Sequence, residues 1–196
     1  MTPRLDSRMS PDADAHRMRR CEKAYQCQMH VYDNNQMEAS DMFRWAYLTP
    51  RQRHLWSLKL SGLTESDISR REEISRQSVH IILDVAQEKV SQALREAADI
   101  NRIEVKHVDL SKGILAGKSL EFGHKVVVTY SPSNGIRIWY AHNDDCQECK
   151  VDKSWVKVIL SEAHERHIEL SEAELRLAPH KLAKLVFSRM LPGVKL

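Results

Sequence analysis

Apolar residues along this chain keep time in two different periods. Val79, Leu83, Ala86, Val90, Ala93 and Ala97 alternate steps of four and three, which draws one stripe along a helix. Upstream, Leu55, Leu58 and Leu60 supply the apolar contacts of an earlier helix. After Asp99 the period falls to two: Ile103-Glu104-Val105-Lys106-His107-Val108 and Ile136-Arg137-Ile138-Trp139-Tyr140 alternate, and His124 to Tyr130 holds a β-branched run, so these predict strands. Helical spacing returns from about Ser154 to His167 through Val156, Ile159, Leu160 and Ala163, and again through Leu182, Leu185, Val186 and Met190. The fold class is therefore α+β: an all-α N-terminal part with a long third helix, then a small antiparallel hairpin or sheet with two helices.

Capping residues place the boundaries. Thr49-Pro50-Arg51-Gln52 offers Thr at N-cap, Pro at N1 and Gln at N3, a capping box that satisfies or avoids orphaned backbone donors. Ser61-Gly62 ends that helix, because Gly accepts the left-handed conformation that commonly terminates helices. Thr64 caps a short second helix to about Arg71, with Glu65 and Asp67 at its positive end. Ser75 caps a third that runs to about Ala98, roughly 24 residues or about 36 Å at 1.5 Å per residue. Two short helices cannot cover that length, so its rear half needs either a partner helix in a dimer or the chain's own C-terminal part. Ser131-Pro132-Ser133-Asn134-Gly135 is turn chemistry between two strands, with Asn-Gly supplying positive φ. Residues 1–20 lack either period and read as a mobile tail, 21–47 as a lead-in, 48–100 as a helical domain, and 101–196 as an α+β domain for sensing or association.

Composition narrows the class. The chain has 196 residues, is 42% hydrophobic and carries a net charge of +3, which suits a protein that meets a polyanion with one patch. Four cysteines, Cys21, Cys27, Cys146 and Cys149, are too few for a disulfide scaffold, and no leader or apolar run of membrane-spanning length stands out. The expectation is a cytoplasmic protein with no membrane partner. There is no phosphate-binding Gly loop, no His-Glu-x-x-His and no Gly-x-Ser-x-Gly, so no enzyme is expected.

The stretch LTPRQRHLWSLKLSGLTESDISRREEISRQSVHIIL resembles the DNA-binding unit of sigma-factor region four and of LuxR-type regulators, and among these looks most like the archaeal Tfx-type regulators. The Leu-Thr-x-x-Gln opening, the Gly-Leu-Thr corner and the Ile-Ser-x-x-Ser-Val start of the third helix carry the likeness, which covers Leu48 to about Ala98. It implies a helix-turn-helix that binds double-stranded DNA through the major groove and regulates transcription. Leu55, Leu63, Ile68, Ile74 and Val79 would form the small core, and Ser75 to about Asp84 would begin the recognition helix, with Arg76, Gln77 and His80 toward the groove. Side-chain chemistry agrees, since Arg can fork to guanine O6 and N7, Gln can pair with adenine N6 and N7, and Ser78 is short enough for phosphate or base. Ser75, Arg51, Arg53, Arg70 and Arg71 complete the candidate interface, the arginines on phosphates. A dimer through the Val79 to Ala97 stripe, or through the C-terminal domain, would prefer half-sites about 34 to 36 Å apart. One departure stands out: relatives place an apolar residue and Gly at the turn where this chain has Glu72-Glu73. A left-handed non-Gly residue costs about 1 kcal/mol or more, and carboxylates repel phosphates. Either the turn takes another shape or affinity is modest. Between Leu48 and Ile82, six basic against four acidic side chains leave +2.

A second constellation is Cys146-x2-Cys149 followed by His164-x2-His167. Two thiolates on a knuckle and two imidazoles three apart on a helix resemble a zinc site that would staple a hairpin to a helix, with His142 a further candidate ligand. His167 also falls on the apolar stripe of its helix, as a core histidine would. Cys21, Cys27 and His30 could form another site, although their spacing is not a favoured one. Cys-x-x-Cys is also the setting of a thiol oxidoreductase, but Asp144, Asp145 and Glu148 oppose a thiolate there. The competing functional class is a metal- or redox-stapled protein-interaction module without specific DNA binding.

Overall fold

A computed structural model describes residues 48–141 and 153–194. The expected tail (1–20), the lead-in (21–47), and His142, Cys146 and Cys149 lie outside the described residues. Helices α1 (Pro50–Leu60), α2 (Glu65–Glu72) and α3 (Arg76–Ile100) precede strands β1 (Ile103–Asp109), β2 (Ile114–Ser119), β3 (Lys125–Ser131) and β4 (Gly135–Tyr140). Helices α4 (Lys153–Glu165), α5 (Glu172–Leu175) and α6 (Pro179–Met190) follow. The arrangement is α+β.

The three predicted N-caps close the first helices. Thr49 accepts from the backbone N–H of Gln52 at 3.3 Å while Gln52 Oε1 accepts from the Thr49 N–H at 3.0 Å. Thr64 and Asp67 repeat the box, each backbone N–H donating to the other's side chain at 3.2 Å. Ser75 accepts from the Ser78 N–H at 3.0 Å. Gly62, at φ 86, carries the chain from α1 into α2.

Two cores share α3. Its first turns bury Val79 and Leu83 against Leu55 and Leu58 of α1 and Ile68 of α2, with Leu63, Ile74 and Ile82 at the margin. Its remaining length buries Ala86, Val90, Ala93, Leu94 and Ala98 against Leu115, Val126, Val128 and Tyr130 of the sheet. The rear of the helix is thus covered by the chain's own sheet, and the Val79 to Ala97 stripe expected as a dimer seam is filled from within. Small alanines on that stripe let the helix lie close on the β-branched face, where each fully buried Val or Leu contributes about 1.5–3 kcal/mol.

The sheet is antiparallel in the order β1-β2-β3-β4. Strand β2 was not anticipated: Ile114, Leu115 and Ala116 are all buried, on both faces, and such a run lacks the alternation of a half-exposed strand. The opposite face packs on α4 and α6, with the Trp139 ring 5.4 Å from Trp155 and 5.0 Å from Phe187. Gly117 is obligatory, since a Cβ there would come within 2.4 Å of the Glu104 carbonyl oxygen, next to the irregularity between Val105 and His107 that bends the β1 edge. In the β3–β4 turn only Gly135 takes positive φ. Asn134 instead donates its amide to Glu162 Oε1 at 2.8 Å and to Ser131 Oγ at 3.1 Å.

That amide belongs to a buried polar network locking α4 to the hairpin. Glu162 is fully buried and pairs with Arg166 at 2.8 Å. Ser131 donates to Glu162 at 2.9 Å, and Arg166 donates to the carbonyls of Lys112 at 3.1 Å and Tyr130 at 2.8 Å. Neighbouring Glu165 accepts from the Ser133 N–H at 3.1 Å through Oε1, but its Oε2 is buried without a partner among the described residues. Burial, reinforced by the Glu162 charge, raises its carboxyl above the usual range.

These adjacent carboxylates should behave oppositely. Glu162→Ala leaves Arg166 buried and unpaired, and is expected to cost about 3–5 kcal/mol, read as a lower urea midpoint at unchanged slope. Glu165→Gln should gain stability at neutral pH. A raised folded pKa penalises the wild type as pH rises through it and not below the unfolded value, so the gain should vanish in acid.

Candidate nucleic-acid interface

The α2–α3 junction decides what the candidate interface can present. Glu73 adopts φ 53, ψ 38, the left-handed conformation usually given to Gly. Of the two outcomes left open for Glu72-Glu73, the turn therefore keeps its left-handed shape. Local bonds hold it: the Ile74 N–H donates to the Ser69 carbonyl at 3.2 Å, and the Ser69 hydroxyl donates to the Ile74 carbonyl at 2.6 Å. The reach from Ile74 to Ser69 is the six-to-one closure of a Schellman turn. Ile74 then packs against the small helical core, which offsets the strain at Glu73.

Beyond that turn, Arg76, Gln77, Ser78 and His80 are all exposed at the front of α3. They do not stand in the same state. Arg76 Nε lies 3.9 Å from Glu65 Oε2 and His80 Nδ1 lies 3.4 Å from Glu65 Oε1. His80 Nε2 is 3.7 Å from Asp84. The first residue of α2 thus braces two proposed reading groups. Ser78 and Ser75 share a hydroxyl contact at 2.8 Å. Gln77 makes no side-chain hydrogen bond among the described residues.

Of the two turn carboxylates, Glu72 is partly neutralised and Glu73 is exposed. Glu72 is only 15% exposed and sits 2.9 Å from His54 Nε2 of α1 and 3.9 Å from Arg71 Nε. Hydrogen bonds from Thr64, with Arg70 alongside, hold the Asp67 carboxyl below its usual range. Arg70 and Arg71 remain exposed on α2, as does Arg51 on α1. Arg53 is different. It shares the α1 face of Trp56 and Leu60, which pack toward the sheet, and is half-buried with its charge felt by the Tyr130 phenol. It stands apart from the other proposed phosphate ligands.

Two features escaped the sequence pattern. Trp56 is buried with its ring 6.4 Å from that of Tyr130, joining α1 to β3. Ile81 and Val85 are 56% and 39% exposed on α3. Their spacing of four, off the buried stripe, was the signal available.

The proposed zinc ligands are divided. His164 is exposed in the last turn of α4, and His167 lies beyond the helix at φ 51, also exposed. The helix expected to reach His167 ends at Glu165 in a Schellman turn: the His167 N–H donates to the His164 carbonyl at 3.1 Å and the Ile168 N–H to the Ala163 carbonyl at 2.9 Å. The two imidazoles therefore do not share one helix face, and His167 is no core residue. Among the described residues no group of three His, Cys, Asp or Glu side chains could hold a metal ion, and no helix is long and apolar enough to cross a membrane.

No protein-family model, curated protein or solved structure matches the chain.

If Glu73 carries left-handed strain, Glu73→Gly should raise stability by about 1 kcal/mol, seen as a higher midpoint of unfolding. Glu73→Ala should bring no such gain. Equal midpoints for both variants would show that the turn is unstrained.

Proposed function

We propose that this protein is a non-enzymatic, cytoplasmic regulator of transcription that binds double-stranded DNA in a sequence-specific way through the major groove. The observation that supports this reading best is the front of α3. Its buried stripe is fully used by two cores, yet its first two turns present Arg76, Gln77, Ser78 and His80 to solvent. A tight turn and two short helices behind a projecting helix end are what groove entry requires.

Each group has a part in this mechanism. The exposed arginines Arg51, Arg70 and Arg71 neutralise phosphates and set register, and the positive end of the α3 dipole adds to them. Gln77 is free to pair with adenine. Arg76 reaches guanine by exchanging its Glu65 contact for O6 and N7, so Glu65 holds the guanidinium until a base replaces it. With the stripe filled, a homodimer on two half-sites would pair through the C-terminal part of the chain.

Binding should weaken steeply with salt, log K falling by about 0.9 per log unit of salt for each phosphate neutralised. Arg70→Ala and Arg71→Ala should each lower that slope by about 1 and weaken all duplexes alike. Gln77→Ala should leave the slope unchanged while reducing discrimination by about 1–3 kcal/mol. Salt-independent binding, or a sequence preference indifferent to Gln77, would overturn the reading.

A further inference from the structure

The free side of α3 carries an apolar group where a polar reading edge was expected to end. Gln77 and Ile81 are four residues apart and so lie one above the other on one helix face. Ile81 is 56% exposed, and the Gln77 amide is uncommitted. In the adjacent row Arg76 and His80 both contact Glu65, and His80 also lies 3.7 Å from Asp84. Further back, Asp84 and Glu88 are exposed, and carboxylates there would repel phosphates. Approach by DNA is thereby confined to the first two turns, which end on Ile81. The cations that frame those turns, Arg70, Arg71 and Arg76, are all well exposed and complement a polyanion.

Resting on the DNA-binding reading above, we propose that Ile81 is a specificity-determining residue that packs on the 5-methyl group of a thymine. The major groove offers one apolar feature, the thymine methyl, and an aliphatic side chain recognises it by excluding water. Four residues of helix advance about 6 Å, close to two base-pair rises of about 3.4 Å. The site therefore carries an adenine read by Gln77 and a thymine read by Ile81 within about two base pairs of each other. Cytosine, which lacks the methyl, is rejected at the second position.

The test removes only the methyl. In a duplex selected by the intact chain, each thymine is replaced in turn by deoxyuridine and binding is measured at fixed salt. One position should lose about three- to fivefold in affinity, the effect of a single buried methyl-sized group. Ile81→Ala, an exposed substitution that spares the fold, should bind the thymine and deoxyuridine duplexes equally. Gln77→Ala should retain the deoxyuridine penalty. If sequence-specific binding depends on Gln77 but no deoxyuridine replacement is felt, or Ile81→Ala feels it as the wild type does, the Ile81 assignment is wrong and the DNA reading stands. If no duplex is selected at all, both fall together.

Discussion

A helix with one continuous apolar stripe must be covered along its whole length, and α3 meets that demand with two different partners. Val79 and Leu83 are held by α1 and α2, while Ala86 through Ala98 lie on the sheet. Because the same rigid helix belongs to both cores, the orientation of its front end is set by packing some 20 Å behind it, at 1.5 Å per residue. Trp56 against Tyr130 and Lys89 donating to Gln52 at 3.2 Å tie α1 to the same frame. The sheet is in turn held from its other side by the Glu162–Arg166 network. A buried ion pair is weak evidence for net stability, but its fan of bonds to Ser131, Asn134 and two backbone carbonyls fixes the hairpin against α4.

Charge at the front of the molecule follows a consistent pattern. Glu65 and Glu72 are each engaged by cationic or imidazole neighbours and are part-buried, while Glu73 at the turn is exposed. The arginines on α2 have acidic neighbours of their own, Asp67 for Arg70 and Glu72 for Arg71, yet both stay exposed. Pairs of this kind at a surface contribute little stability, about 0–1 kcal/mol. Glu65 thus fixes the resting positions of Arg76 and His80.

The helices were legible because their ends are chemically marked. Thr49, Thr64, Ser75 and Gly62 occupy the caps and turn that their types favour, whereas the four-residue α5, capped by Ser171, is too short to show a helical period and was not anticipated. The stripe on α3 gave its buried face correctly, while its covering partner depended on contacts far apart in sequence. Strand β2 was hidden because burial on both faces erases alternation. His167 misled because a Schellman turn ends α4 without glycine, as Glu73 ends the turn after α2. Helical spacing alone cannot reveal a left-handed residue that has a Cβ. In the candidate interface, the half-burial of Arg53 was not legible since α1 presents arginines on two faces, and the exposure of Ile81 was not legible since an apolar residue off the stripe reads as incidental.

Whether the front of α3 reads bases in duplex DNA is open to direct test. Selection of bound duplexes from a random pool by the intact chain, repeated with the Arg76→Ala, Gln77→Ala double variant, addresses it most directly. One recurrent short motif is expected for the wild type, lost in the double variant, with residual salt-sensitive binding to any duplex. A wild-type pool as random as at the outset, or the same motif enriched by the double variant, would contradict it.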